Sequence, residues 1–390
     1  MDNLLHYITE QEAVAVLQAL VRAPTVNPPG ETTAAVREIA RRLDEARVAY
    51  QVLSKRPGVD NLVAYLEGRR SGAVLVLNGH LDVVPPGKDW TVDPFAATVR
   101  DGKLYGRGAC DMKGGLAAML LALLALKRAG APFAGEVLFE AVADEESGGW
   151  LGTRYLLEQG IGVGADFAIV GEPSDLRLDL GNRGIAWFEI TVRGRAGHSA
   201  RPRSGISAIE YAARLVTAIS NLRFSRQNTL FEVPTPSVVV TLIRGGVREN
   251  IIPDTCVLTA DRRLLPGETV ESATAELEYL IADLPQPGIT ATVRCTNSAE
   301  PYLIRREEPV VQALARAHER VLGVPPVYGA KGGATDGAYL YHEGGVPTVL
   351  YGPGLVGVAH AADEHVAIES VVQAAKVYAL TALDLLSGAA

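Results

Sequence analysis

Apolar residues recur along this chain with two periods, and the switch between them sketches an architecture. Near the start, "AVAVLQALVRA" follows Thr9 and Glu12, a capping-box spacing, and predicts a helix. After the loop "VNPPGE", the stretch "TTAAVREIARRLDEA" predicts a second, amphipathic helix. "NLVAYLEG" and "AVLVLNGHLDVVP" read as strands. The second is apolar on both faces over "AVLVL", as expected of a central strand in a covered sheet. A long Pro/Gly/Asp loop, the turn "GRGACDMKGG" and the apolar run "LAAMLLALLAL" come next. That run is too short to span a bilayer and is flanked by Lys113 and by Lys127 and Arg128, so it predicts a buried helix. "GEVLFEAVA" and "ADFAIVG" add two core strands, and the alternation of strands with helices argues for an α/β sheet.

From about Gly181 the period changes. "GIAWFEITVRG", "PSVVVTLIRGG", "TCVLTADRRLL" and "GITATVRC" alternate like strands with one wet face, and the amphipathic helices "SAIEYAARLVTAISNL" and "ESATAELEYLIADL" lie between them. That is the content of an α+β domain with helices on one face of an antiparallel sheet. After about Ala299 the α/β pattern returns in "PVVQALARAHERVLG", "GAYLYHEG", "VPTVLYG" and the closing helix "IESVVQAAKVYALTALDLLSG". The pattern therefore predicts an α/β domain with a mixed, mostly parallel sheet, residues 1–180 and 297–390. An inserted α+β domain, residues 181–296, interrupts it.

Bulk properties narrow the function. A chain of 390 residues exceeds what one hydrophobic core usually serves, which fits two domains. The net charge of -8, with no dense Lys/Arg stripe, argues against nucleic acid as a partner. The cysteines, Cys110, Cys256 and Cys295, form no CxxC pair, so a disulfide framework is not expected and a reducing cytoplasm is. "MDNLLHYITEQEAVAV" lacks the pattern of a signal peptide, and no membrane association is expected.

Chemistry enters with the histidines, seven in all. His6, His318 and His342 lie in or beside helical patterns without an acidic cluster and read as surface or packing residues. His80 ends a central strand, where α/β sheets place their sites. Asp82, two residues on, points the same way in an extended segment and can fix the imidazole tautomer for metal binding. A satisfied His–Asp pair without metal explains the pair equally well. "DEESGG" brings Asp144, Glu145 and Glu146 to the end of the strand "GEVLFEAVA", where three adjacent acids repel and are costly to bury unpaired. Alone, they read as a solvated turn. Asp111 follows a Gly-rich turn at the head of the buried helix, Glu172 ends the next strand, and His360 follows "VPTVLYG". Five segments thus bring an acid or histidine to a strand end or the loop after it. Their convergence on one sheet edge points to bound metal. Hard oxygen ligands mixed with imidazole suit zinc, with cobalt or manganese as substitutes.

The motifs "GHLDVVP", "GRGACDMKGG", "ADEESGG", "GEPS", "GHSARP", "ENIIPD", "GGATDG" and "AHAADEHV" occur in an order that spans nearly the whole chain. In this the chain resembles the dinuclear zinc amidohydrolases that include acetylornithine deacetylase, succinyl-diaminopimelate desuccinylase, aminoacylase and glutamate carboxypeptidase. The resemblance implies a catalytic α/β domain and an inserted lid or dimerisation domain. It implies two Zn²⁺, one held by His80 and Glu172, the other by Glu146 and His360, with Asp111 bridging both. It makes Asp82 the partner that orients His80, Glu145 the general base, and the peptide after Asp111 cis. Cations beside the "DEE" triplet would offset its repulsion, while Asp144 caps the turn or faces solvent. The implied reaction is hydrolysis of an amide by a metal-activated water whose proton Glu145 takes and later delivers to the leaving amine.

His198 of "AGHSARP" is implied as a donor to the oxyanion, reaching into the site of a partner subunit, and hence a homodimer. The resemblance implies that Asn250 and Arg263 contact the substrate carboxylate or the intermediate. Of the adjacent Arg262 and Arg263, only one can face the substrate in an alternating strand, and Arg263 is preferred. Gly332 and Gly333 lie in the loop "KGGATDG", whose N–H groups can hold an acyl group or carboxylate, or which is simply a tight turn before a helix. His365 is a rival to His360 as ligand, and Cys110 is read as packing. Ala338 follows "DG" where desuccinylases carry an arginine, which disfavours a succinyl substrate. The expected substrate is an N-acyl-amino acid or short peptide. The alternatives are a metallocarboxypeptidase or dipeptidase using the same site, and a non-catalytic binding protein on the same fold.

Overall fold

The structure, a computed structural model, describes residues 2–387. It divides into two compact units, one of residues 1–181, 303–331 and 335–390, the other of residues 182–302 and 332–334.

The first unit is built on a mixed sheet. Four neighbouring strands run parallel in the order Glu136–Val142, Val74–His80, Phe167–Val170 and Thr348–Leu350. Their parallel course sends the four C-terminal ends to one edge, the usual place for a site in such sheets. The margins are antiparallel: Val59–Glu67 pairs with Glu136–Val142, Ala49–Arg56 pairs with Val59–Glu67, and Leu178–Asn182 flanks Thr348–Leu350. The apolar run forms the helix Lys113–Arg128, whose residues from Lys113 to Leu126 are all buried. It packs against the helices Glu10–Val21 and Ile368–Leu386. Its first turn presses on the strand end at Gly171, where a Cβ on Gly115 would lie 1.9 Å from the Gly171 carbonyl oxygen. Only glycine permits that approach. Among the described residues no helix is long and apolar enough to cross a membrane.

The second unit is a four-stranded antiparallel sheet in the order Ser237–Gly245, Thr255–Leu264, Gly184–Arg193, Thr290–Ala299. Burial alternates along Gly184–Arg193 and Thr255–Leu264. The inward residues, Phe188, Ile190 and Leu258 among them, pack with Leu215 and Leu277 of the helices Ala208–Ser220 and Val270–Ala282. A boundary after residue 296 would cut the strand Thr290–Ala299. Its ladder with Gly184–Arg193 runs on to Ala299, which carries the unit to residue 302.

Candidate metal centre

His80 is the last residue of its strand, and its Nδ1 lies 2.9 Å from the Asp82 carbonyl oxygen. With Nδ1–H donating there, Nε2 is the nitrogen that faces a group of carboxylates. Asp111 Oδ1 is 3.2 Å from that nitrogen, Glu172 Oε1 3.8 Å and Glu145 Oε2 4.0 Å. On the other side of Asp111, His360 Nε2 lies 3.5 Å from Oδ2 and 3.1 Å from Glu146 Oε1. Asp111 therefore offers one oxygen to each histidine. The Asp111–Met112 peptide is cis. The five candidate ligands and Glu145 are thus brought together from the ends of three parallel strands, the loop after the fourth and the residues just before the buried helix.

The role expected of Asp82 needs correcting. Its carboxylate is 3.8 Å from His80 Nδ1, and the ring is held by the main-chain carbonyl instead. The carboxylate accepts from the N–H groups of Glu145 at 3.1 Å and Glu146 at 3.2 Å, and from Asn27 Nδ2 at 2.9 Å. Asp82 thus holds the turn that carries the two glutamates. Asp144 stands at the N-cap position of that turn without a side-chain bond to it, and it does not face solvent. It is buried in a left-handed conformation at φ 67° and accepts from Leu151 N–H at 3.1 Å and Asn27 Nδ2 at 3.3 Å. Asp144 is thus turned to Leu151 and Asn27, while Glu145 and Glu146 face the cluster.

The charged groups of the cluster shift one another. Burial pushes His80 toward its neutral form, but Asp111, Glu145 and Asp82 outweigh it and hold its pKa well above the usual imidazole value. Hydrogen bonding to Glu146 raises His360 against burial. Burial works to raise Asp111 as well, yet His80, Lys331 and His360 hold it below the carboxylate range. Glu145 is raised well above that range by burial and by Glu172, Glu146 and Asp336 around it. Lys331, which opens "KGGATDG", had no expected role. Its buried ammonium donates to Glu172 Oε2 at 2.8 Å and to the Pro173 carbonyl at 3.1 Å, which leaves Glu172 Oε1 turned toward His80. Nothing in the sequence separates this lysine from a solvated one, because its partner lies far away in the chain.

The donor set fits divalent metal. Around a tetrahedral zinc with bonds of about 2.0–2.1 Å, neighbouring donor atoms stand about 3.3 Å apart. The pairs His80–Asp111, His360–Glu146 and His360–Asp111 span 3.1 to 3.5 Å. Two overlapping sets, His80–Asp111–Glu146 and His80–Glu145–Glu172, have ligand atoms within 4.8 Å of one another. Imidazole nitrogen with carboxylate oxygen is the mixture that zinc accepts.

The remaining candidates fall elsewhere. His198 and Asn250 are neighbours in the second unit: Ser199 N–H donates to the Asn250 carbonyl at 3.1 Å, and His198 pairs with Ile251 in a short antiparallel ladder. Arg262 points into that unit's core, against Glu268 at 2.7 Å, Glu276 at 3.1 Å and the Phe224 ring. Arg263 lies on the opposite, open face beside Asp261 at 2.9 Å. Gly332 and Gly333 have open space where a Cβ would stand. His365 is turned away from the cluster, with Nδ1 2.8 Å from the Asp363 carbonyl and Nε2 3.3 Å from Lys103. Cys110 is buried, and burial raises its thiol pKa. His318 is a packing residue against the Tyr351 hydroxyl at 3.0 Å.

Comparison with known proteins identifies the family. A sequence profile described as Peptidase family M20/M25/M40 matches residues 76–384. The chain is 37% identical over 326 residues to an acetylornithine deacetylase of Myxococcus xanthus, covering 82% of each chain. It is 33% identical over 367 residues to a succinyl-diaminopimelate desuccinylase of Wolinella succinogenes, covering 92% of this chain and 95% of the relative. Among solved structures, the YxeP protein of Bacillus subtilis, described as a dinuclear metal-binding peptidase from the M20 family, superposes with a TM-score of 0.74. The identity is 20%, with 97% of this chain and 98% of that one covered.

Proposed function

The chain belongs to peptidase family M20/M25/M40 and is a metal-dependent hydrolase, and from that premise we propose that it removes the acyl group from an N-acyl-amino acid. The observation that carries the reading is Asp111, with one oxygen toward His80 and the other toward His360, and Glu145 standing beside the cluster. We assign His80, Glu172 and Asp111 to one divalent ion and Glu146, His360 and Asp111 to the other, with zinc as the native metal. When bound, such ions polarise a carbonyl and make water acidic enough to attack at neutral pH. Glu145 is the group left free to move a proton: it takes one from the attacking water and returns it to the leaving amine. Asp82 keeps Glu145 in place through its main-chain N–H. Lys331 confines Glu172 to presenting one oxygen.

The second unit supplies the residue types that an acylated amino acid requires. His198 is proposed as donor to the developing oxyanion, Arg263 and Asn250 as contacts for the substrate carboxylate, and Gly332 and Gly333 as a main-chain cradle for the acyl group. The deacetylase and desuccinylase relatives both bear names that denote loss of an acyl group from an amine of an amino acid. Ala338 stands where the resemblance implies an arginine in desuccinylases, which supports a small acyl group over succinyl. A homodimer is proposed from the exposed apolar edge strand Ser237–Gly245. The test is amine release from N-acetyl-, N-formyl- and N-succinyl-amino acids and from dipeptides, with zinc-loaded protein and a chelated control. Chelator-sensitive release from the N-acetyl set is expected. Release from dipeptides alone would make the protein a peptidase, and metal-bound protein inert toward every compound would remove the N-acyl-amino-acid reading.

A further inference from the structure

Arg107 and Glu364 form an ion pair at the heart of the first unit, and both side chains are almost wholly buried. Neither has a place in the chemistry above. A buried pair of this kind is a poor source of stability, because desolvating two charges offsets most of their attraction. Arg107 Nε even lacks a hydrogen-bond partner. What distinguishes the pair is where its remaining atoms go.

Glu364 Oε1 accepts two successive main-chain N–H groups, Cys110 at 2.9 Å and Asp111 at 3.0 Å. The second belongs to the residue that faces both histidines. Glu364 Oε2 takes Nη1 of Arg107. Arg107 Nη2 donates to the carbonyl of His360 at 3.1 Å and to that of Pro86 at 3.2 Å. The Trp90 ring lies 5.3 Å from the guanidinium, and its Nε1 donates to the same Pro86 carbonyl at 2.7 Å. One rigid fork and one carboxylate therefore tie together three loops: the one that follows His80 and Asp82, the turn that ends in Asp111, and the loop that carries His360. His360 itself sits at φ 62°, a left-handed conformation that a non-glycine residue keeps only when its surroundings enforce it.

Resting on the metal reading above, we propose that Arg107 and Glu364 are positioning residues, which set the placement of Asp111 and His360 from outside the ligand shell. The planar guanidinium is suited to this because its donors diverge at fixed angles, whereas an ammonium holds no such geometry. The pair acts on the side of the centre formed by Asp111, Glu146 and His360, and loosening it weakens that ion first.

The experiment replaces the pair by apolar residues of similar volume, Arg107→Met with Glu364→Leu, which removes both charges together and withdraws the acceptor of the Cys110 and Asp111 N–H groups. Metal-free protein is titrated with Co²⁺, reading the visible absorption of the bound ion, and with Zn²⁺ against a chromophoric chelator. Wild type is expected to take two ions. The double variant, shown to be folded by a cooperative thermal transition, is expected to bind the second ion about 10–100-fold more weakly, with altered Co²⁺ absorption and a turnover loss greater than any change in KM. Arg107→Met with Glu364→Gln keeps an acceptor for the Cys110 and Asp111 N–H groups and should recover part of the affinity. If the apolar pair fails to fold, Arg107→Lys, which keeps the charge and drops the fork, must show the same second-ion loss. Two ions bound with wild-type affinity and spectrum in a folded variant would overturn the positioning role and leave the metal centre standing. Wild-type protein that binds no divalent ion would overturn the metal reading itself, and the positioning role with it.

Discussion

The Asp82 carboxylate faces two consecutive main-chain N–H groups instead of the imidazole it follows in sequence. Asp82→Asn keeps the shape but leaves one acceptor oxygen where Glu145, Glu146 and Asn27 now converge on two. It should therefore loosen the glutamate turn, and affinity for the ion on the Glu146 side is expected to fall about 10–100-fold while the ion beside His80 holds. A loss confined to the His80 side, read in the same metal titration, would return Asp82 to the role of ring partner. The difference shows what spacing encodes. Residues two apart in an extended segment share a face, which is enough to join His80 with Asp82, while a parallel sheet sends the ends of separate strands to one edge. It does not say which oxygen of Asp82, main-chain or side-chain, meets the ring. Lys331, Arg107 and Glu364 are illegible for a related reason. These side chains are buried against partners that sequence spacing does not pair, since Glu172 and Glu364 stand far from Lys331 and Arg107 in the chain.

The strand Glu136–Val142 illustrates the same limit at the level of elements. Its apolar run is enough to place it in the parallel core, yet it carries Glu140 buried in the middle. Asn78 Nδ2 donates to Oε2 of that residue at 2.9 Å, Oε1 has no partner, and a Cβ on Gly162 would stand 3.0 Å from it. Burial raises the Glu140 pKa from 4.5 to about 7. The sign is that of a raised carboxyl. Its contribution to stability is complete below about pH 4.5, where folded and unfolded chains are both protonated, and is lost as pH rises through about 7. Across that window the loss amounts to about 3 kcal/mol. Glu140→Gln stays neutral throughout, so its thermal midpoint relative to wild type, measured in chelator, should climb from about pH 5 to about pH 8. An unchanged difference would mean that Glu140 ionises normally in the fold. The strand Ala49–Arg56 escapes the apolar pattern altogether, because most of its side chains are exposed and its pairing is with one neighbour at the sheet margin.

For the whole molecule, the informative feature is an edge. Ser237–Gly245 is the outer strand of its sheet, with Val239, Leu242 and Ile243 exposed. Val238 and Val240 pack inward, and a register shift between Val240 and Leu242 then turns two successive apolar residues outward. The alternation of apolar and polar residues carries no sign of that shift. An apolar edge invites pairing with another strand, and a second copy of the chain would cover it. The proposed trans action of His198 makes that dimer part of the chemistry, and complementation tests both together. Glu145→Gln and His198→Ala proteins, each nearly inactive alone, are mixed in equal amounts, unfolded and refolded. If His198 serves the partner's site, every mixed dimer has one site with both groups intact. About half of the dimers are mixed, so about a quarter of wild-type activity should return. If His198 serves its own subunit, every site lacks one group and mixing restores nothing. A wild-type protein that stays monomeric in light scattering at working concentration would remove the dimer and trans action at once.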